Sequence, residues 1–144
     1  MAQICEDMNT VYNGEQIAVD LYDRFVKDIK NLELKQYMVK AMQEHLRHLQ
    51  DIEVYLEFTG VKPNSALPLA GAFANIKLMM ENKLKDDDEM IKTAAEGERM
   101  GVSTYENIYG KLKDKKAKDL LDSIIKKDLN IAQRLEGMVN TYGN

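Results

Sequence analysis

The sequence predicts an all-α fold, a four-helix bundle made of two antiparallel hairpins with a long crossover between them. Three observations predict it. Apolar residues recur in alternating steps of four and three over long stretches, which marks the seam of a packed bundle helix. Strand-forming runs of Val, Ile and Thr are missing, and the second half of the chain repeats the pattern of the first. At 144 residues the chain reads as one domain, 1–144, able to bury a core without covalent staples.

Helix one is expected over 3–30, with Ile4, Met8, Val11, Glu15, Ala18, Tyr22, Phe25 and Ile29 on its seam. Asn31 is a good cap for the next helix. That helix carries Leu34, Met38, Ala41, His45, His48, Ile52 and Tyr55 on one line and stops at Thr59-Gly60, where glycine suits the C′ position. So short a turn forces the two helices antiparallel.

Pro63 and Pro68 mark a linker over 61–68, and the apolar stretch 69–84 reads as a shorter helix inside the crossover, crossing the bundle end or leading into helix three, with packing over that end favoured above a membrane contact. Asp86 with Glu89 three residues on resembles a capping box. It opens a long helix to Lys113 with Ile91, Ala94, Glu98, Gly101, Tyr105, Ile108 and Leu112 on the seam. Asp114 can cap the last helix, whose seam runs Ala117, Leu121, Ile124, Asp128, Ile131, Leu135, Met138 and Tyr142.

Shifting the chain by 83 positions lays the second hairpin on the first without a gap: Gly14 on Gly97, Glu15 on Glu98, Val19 on Val102, Tyr22 on Tyr105, Leu46 on Leu129 and Gln50 on Gln133. Two similar hairpins imply a pseudo-twofold bundle.

Composition narrows the function classes. The chain is 44% apolar and 31% charged with two prolines, the balance of a folded helical protein. A net charge of −4 with basic and acidic residues interspersed leaves no basic face for nucleic acid. Cys5 is the only cysteine, so no intramolecular disulfide forms. The N-terminus does not read as a signal peptide, and the longest uncharged stretch, Pro63 to Ile76, is too short for a bilayer. A cytoplasmic protein is expected. Nucleophile, phosphate-loop and paired-cysteine motifs are missing, the lysines between Lys111 and Lys118 read as a solvated turn, and the methionines read as core filling.

The polar residues on the seams carry the functional signal. Glu15 and Glu98 each precede a tyrosine by seven residues, Tyr22 and Tyr105. Under the shift His45 falls on Asp128 and His48 on Ile131, so every helix carries a polar group midway along. An ionised group taken out of water loses hydration worth several kcal/mol. A metal ion held by carboxylate and imidazole from facing helices would compensate that loss. Mutual pairing would also do so, with each histidine protonated beside a glutamate and Tyr22 and Tyr105 donating hydrogen bonds.

With these residues the chain resembles the ferritin-like superfamily, whose di-iron members place a Glu on each of two helices and a Glu-x-x-His pair on each of the other two. The Glu15–Tyr22 and Glu98–Tyr105 spacing resembles that of rubrerythrin-like members. The resemblance implies that Glu15 and Glu98 fill the single-Glu slots and His48 the first histidine slot. His45 stands where the first paired glutamate belongs, Asp128 replaces the second, and Ile131 removes the second histidine. Glu44 is one residue out of register and would substitute only if the helix rotated or bulged. This pattern favours a mononuclear, lopsided or degenerate site. Two narrower resemblances compete: Ala66-Leu67-Pro68-Leu69 is similar to the demethoxyubiquinone hydroxylases, and the overall spacing resembles a small bacterial ferritin-like family of unknown function, which fits better.

The resulting expectation is a ferritin-like protein binding iron, as one or two ions, or another divalent metal. The ligands would be Glu15, His45, His48, Glu98 and Asp128, with Tyr22, Tyr105 and Glu44 around them. A redox-active centre would act on oxygen or peroxide, and no catalytic residue is assigned. The alternative is a metal-free interaction or stress-related module on the same scaffold. A homodimer is compatible with either, and cage-forming storage is a third reading.

Overall fold

Side-chain caps set the helix boundaries. Asn31 accepts the Leu34 amide at 3.0 Å, Asp86 accepts Glu89 at 2.8 Å, and Asp114 accepts Ala117 at 2.9 Å. Each satisfies one of the amides that a helix start leaves unpaired. In the computed structural model, which describes residues 2–63, 76 and 86–141, these caps delimit α1 (Ala2–Asp28), α2 (Leu32–Phe58), α3 (Asp87–Lys111) and α4 (Lys115–Met138). Among the described residues there is no strand. Gly60, at φ +83°, follows the Thr59 cap of α2 and donates to Glu57 O at 2.9 Å, while Val61 donates to Leu56 O. A left-handed residue at that place favours glycine.

The architecture is an all-α four-helix bundle of two antiparallel hairpins, α1–α2 and α3–α4. The hairpins pack with α1 against α3 and α2 against α4. Asp87, in the first turn of α3, is buried and accepts the amides of Lys30 and Asn31 at 3.0 and 2.9 Å. It fastens the start of α3 to the α1–α2 turn. At the opposite end, the Tyr55 hydroxyl donates to Asp114 at 3.0 Å. Burial and this bond push its pKa up to about 12. Because α2 finishes at one end and α3 starts at the other, residues 64–85 join opposite ends of the bundle. The short helix expected over 69–84 lies outside the described residues, apart from Ile76, which is buried.

Most of the expected seam is the core, including Met8, Val11, Phe25, Leu34, Met38, Ile52, Ile91, Ile108, Leu121, Ile124 and Leu135. The two later helices end sooner than expected. α3 stops at Lys111, because Leu112 turns into extended backbone as the C-cap (ψ 141°), and α4 stops at Met138. Asn140 takes φ +67°, a left-handed conformation that ends a helix, and its amide donates to Asp88 at 2.7 Å. No helix among the described residues is long and apolar enough to cross a membrane.

Candidate metal centre

Each helix contributes one polar group or pair to a single level of the bundle: Glu15 from α1, His45 and His48 from α2, Glu98 from α3 and Asp128 from α4. All five are buried, none more than 6% exposed. The two histidines share a face because residues three apart lie over one another on a helix. Apolar residues close the level above and below, among them Val11, Ala41, Ile52, Ala94, Ile124 and Ile131. Water screening is therefore weak, and each interaction at this level counts for more than it would at the surface.

The polar atoms converge on one point. Glu15 Oε1 lies 3.0 Å from His45 Nδ1 and also pairs with His48 Nδ1. Asp128 Oδ1 lies 3.6 Å from His45 Nδ1 and 3.4 Å from His48 Nδ1. Glu15, His45, His48 and Asp128 thus offer four ligand atoms within 4.8 Å of one another. Glu98, expected among the ligands, stands outside this group. Its carboxylate meets the far nitrogen of His45, with Oε1 and Oε2 at 2.7 and 3.1 Å from Nε2.

Glu44 reaches the level without any rotation or bulge of α2. It lies one turn before His48, and its Oε1 is 3.3 Å from His48 Nε2. Its other neighbours are Arg47 at 3.1 Å and Lys127 at 3.4 Å. The signal was the i,i+4 spacing within α2, which matching positions against the family pattern does not register.

The tyrosines take different roles. Tyr105 donates to Glu15 Oε2 at 2.9 Å, as expected of a supporting hydrogen bond. Tyr22 instead stacks its ring on His45, centroids 5.6 Å apart and planes 19° from parallel, and its hydroxyl has no hydrogen-bond partner among the described residues. Tyr22 therefore fixes the plane of the imidazole by packing. Asn9 and Asn13 are further buried polar residues that the seam pattern did not single out.

Electrostatics separate the carboxylates. Burial alone would raise Glu15, but the His45 and His48 rings outweigh it and hold that carboxyl far below the usual range. Burial raises Asp128, and the Glu15 charge raises it further, well above the ordinary aspartate value. Glu98 is also raised, chiefly by burial, with His45 opposing. Burial disfavours the charged form of His45, yet the charges of Glu98, Glu15 and Asp128 carry its pKa well above normal. The result is one firmly ionised carboxylate, one imidazole inclined to keep its proton and two acids, Asp128 above all and Glu98 less so, shifted towards keeping theirs.

Three atoms of the group's ring of contacts lack hydrogen-bond partners among the described residues: Asp128 Oδ1, His48 Nε2 and Glu44 Oε1. A buried acceptor left unmade costs about 1–3 kcal/mol. Asp128 Oδ1 faces the two Nδ1 atoms and the Glu15 carboxylate, so a cation at the shared point would satisfy it. The donor set, two imidazole nitrogens and two carboxylate oxygens, suits a first-row divalent metal. A narrow cleft between α1 and α3 borders Glu15, Glu98 and Asp128. Small residues, Gly14, Ala18, Gly97 and Gly101, line it, and Ile76 lies across Gly97.

The chain is similar to several solved structures. One is a two-domain protein of Anabaena variabilis containing DJ-1/ThiJ/PfpI-like and ferritin-like domains, with 22% identity and a TM-score of 0.78. The match covers 96% of this chain but only 36% of that one, so this chain spans about a third of that protein. A second is a ferritin-like, diiron-carboxylate protein of Bacillus anthracis, with 18% identity, a TM-score of 0.76 and 95% of each chain covered. A third is the bacterioferritin of Rhodobacter capsulatus, with 18% identity, a TM-score of 0.77, and 99% of this chain and 86% of that one covered. A search of the curated proteins finds no match. These similarities establish the fold as ferritin-like. Residues 3–111, most of the chain, match the family model described as Domain of unknown function (DUF2383), and the protein belongs to that family.

Proposed function

We propose that the protein binds a metal ion at the point shared by Glu15, His45, His48 and Asp128, that the metal is iron, and that the loaded protein acts on oxygen or peroxide. The observation that supports this reading is the orphaned Asp128 Oδ1 within a group of four buried ligand atoms that all lie within 4.8 Å. Similarity to a diiron-carboxylate protein and to a bacterioferritin supports it further. Bound iron would supply one-electron redox chemistry. The protein's own contribution is to hold the ligand atoms at fixed spacing, to exclude bulk water with the apolar layers on either side, and to anchor Glu15 through the Tyr105 hydroxyl.

The competing reading is a metal-free helical module whose polar residues satisfy one another. The His45 ring favours it, since a glutamate stands against each of its nitrogens. Attraction between unit charges about 4 Å apart is worth roughly 4 kcal/mol at the effective dielectric of a partly shielded site, comparable with the several kcal/mol lost on burying each ion. Pairing therefore comes close to balancing the cost for Glu15 and His45. It leaves Asp128 Oδ1 3.6 and 3.4 Å from the two Nδ1 atoms without a hydrogen bond, and a metal at the shared point would bond that oxygen. Cytoplasmic location and a homodimeric state belong to the same proposal, and sizing of the native protein checks the second.

Elemental analysis of protein prepared without chelators and loaded anaerobically with Fe(II) is the first test. Wild-type protein is expected to retain iron through gel filtration, and Glu15→Gln to lose it. A wild-type chain that retains no metal after loading rejects the proposal.

A further inference from the structure

The two imidazoles share an arrangement that concerns how many ions the centre takes. Both turn Nδ1 inward, to the point shared with Glu15 and Asp128, and both turn Nε2 outward towards a carboxylate: His45 hydrogen-bonds Glu98, at 2.7 and 3.1 Å, while His48 stands 3.3 Å from Glu44 at ion-pair distance without a hydrogen bond. A histidine that ligates a metal through one nitrogen commonly donates its other N–H to a carboxylate, which fixes tautomer and ring orientation. We infer that Glu98 and Glu44 are positioning residues acting through His45 and His48, and that the centre holds one ion per chain. This rests on the metal-binding reading above and specifies its stoichiometry.

Glu98 is poorly placed to hold an ion of its own. Its carboxylate is committed to His45 Nε2 through both oxygens. Ile131, one turn beyond Asp128, is apolar where a second imidazole would be needed, and is itself part of the core. The cleft beside Glu98 is otherwise lined mostly by small and apolar residues, and the two carboxylates that share it, Glu15 and Asp128, already belong to the four-atom group. Tyr22 holds the opposite constraint on His45 by stacking, so the ring is fixed in plane by one neighbour and in rotation by the other. Glu44 is a weaker version of the same device. It is partly exposed and shares its charge with Arg47 and Lys127.

The test is a calorimetric and spectroscopic titration of metal-free protein with Co(II), which reports stoichiometry and, through its visible bands, the set of ligands. Wild type is expected to bind one Co(II) per chain. Glu98→Gln is expected to bind one as well, with the same band pattern slightly shifted and an affinity weaker by about 10- to 100-fold, the usual loss when a histidine's outer partner is changed. Glu44→Gln is expected to lose less. Two ions in wild type falling to one in Glu98→Gln would make Glu98 a ligand and overturn the inference while leaving metal binding intact. Unchanged affinity in Glu98→Gln, or complete loss of binding in a folded variant, would overturn it too. No Co(II) bound by wild type would reject the metal-binding reading and the inference with it. Wild-type stoichiometry decides between one ion and two even if a variant fails to fold.

Discussion

Glu15→Ala is expected to lower the stability of the metal-free protein by about 3–5 kcal/mol, the range seen when one partner of a buried ion pair is removed. Glu15 is the hub of the level. It pairs with both imidazoles through Oε1 and accepts the Tyr105 hydroxyl through Oε2. Without it, a His45 ring whose pKa stands well above normal keeps Glu98, with Asp128 at 3.6 Å, and the Tyr105 hydroxyl loses its bond to the Glu15 carboxylate. Urea unfolding in the presence of a chelator reads this directly. A loss under about 1 kcal/mol would mean that water enters and solvates the level, contrary to the burial of all five residues.

The opposite sign is expected at Asp128. Replacing it with the isosteric asparagine should stabilise the metal-free protein by about 1–3 kcal/mol, the cost of a buried polar atom without a partner, while metal affinity falls sharply. Asparagine removes an acid that burial and the Glu15 charge oppose ionising, and its amide can donate to Glu15. The pH dependence follows from the raised pKa of Asp128. Above the unfolded value of 3.8 the unfolded chain releases this proton while the folded chain retains it. That group therefore costs the wild type stability progressively as pH rises from there towards its folded value. The advantage of Asp128→Asn should accordingly be small near pH 3.5 and largest at neutral pH. A variant that is more stable without metal and inert towards it would show that Asp128 is retained for binding at the expense of stability.

The fold was readable because its physics is periodic. Seam residues stepping by four and three dictate helices, and short turns dictate antiparallel hairpins. Asn31, Asp86 and Asp114 each sit where a cap must accept an amide, and each does so. What periodicity misses is contact between elements: Asp87 fastening α3 to the first turn depends on a tertiary meeting with Lys30 and Asn31 that no local pattern encodes. The end of α4 depends likewise on Asn140 turning back to Asp88.

The candidate site was readable as a level but not as a geometry. Polar residues on four seams at one height had to meet, and Glu15, His45, His48 and Asp128 do. Seam position cannot say which nitrogen of an imidazole faces inward. It therefore could not separate Glu98, which meets the outer nitrogen of His45, from Glu15, which meets the inner one. The pseudo-twofold repeat made the two glutamates look equivalent. The residues opposite them, His45 and His48 against Asp128 and Ile131, break that equivalence.

The most direct measurement is an anomalous-difference map from crystals of the protein loaded with Fe(II) or Mn(II) under anaerobic conditions. The expected result is a single peak at the point shared by Glu15, both Nδ1 atoms and Asp128, with Glu98 still bonded to His45 Nε2. Two peaks, one of them on Glu98, or a level that stays free of metal in fully loaded crystals, would contradict the account.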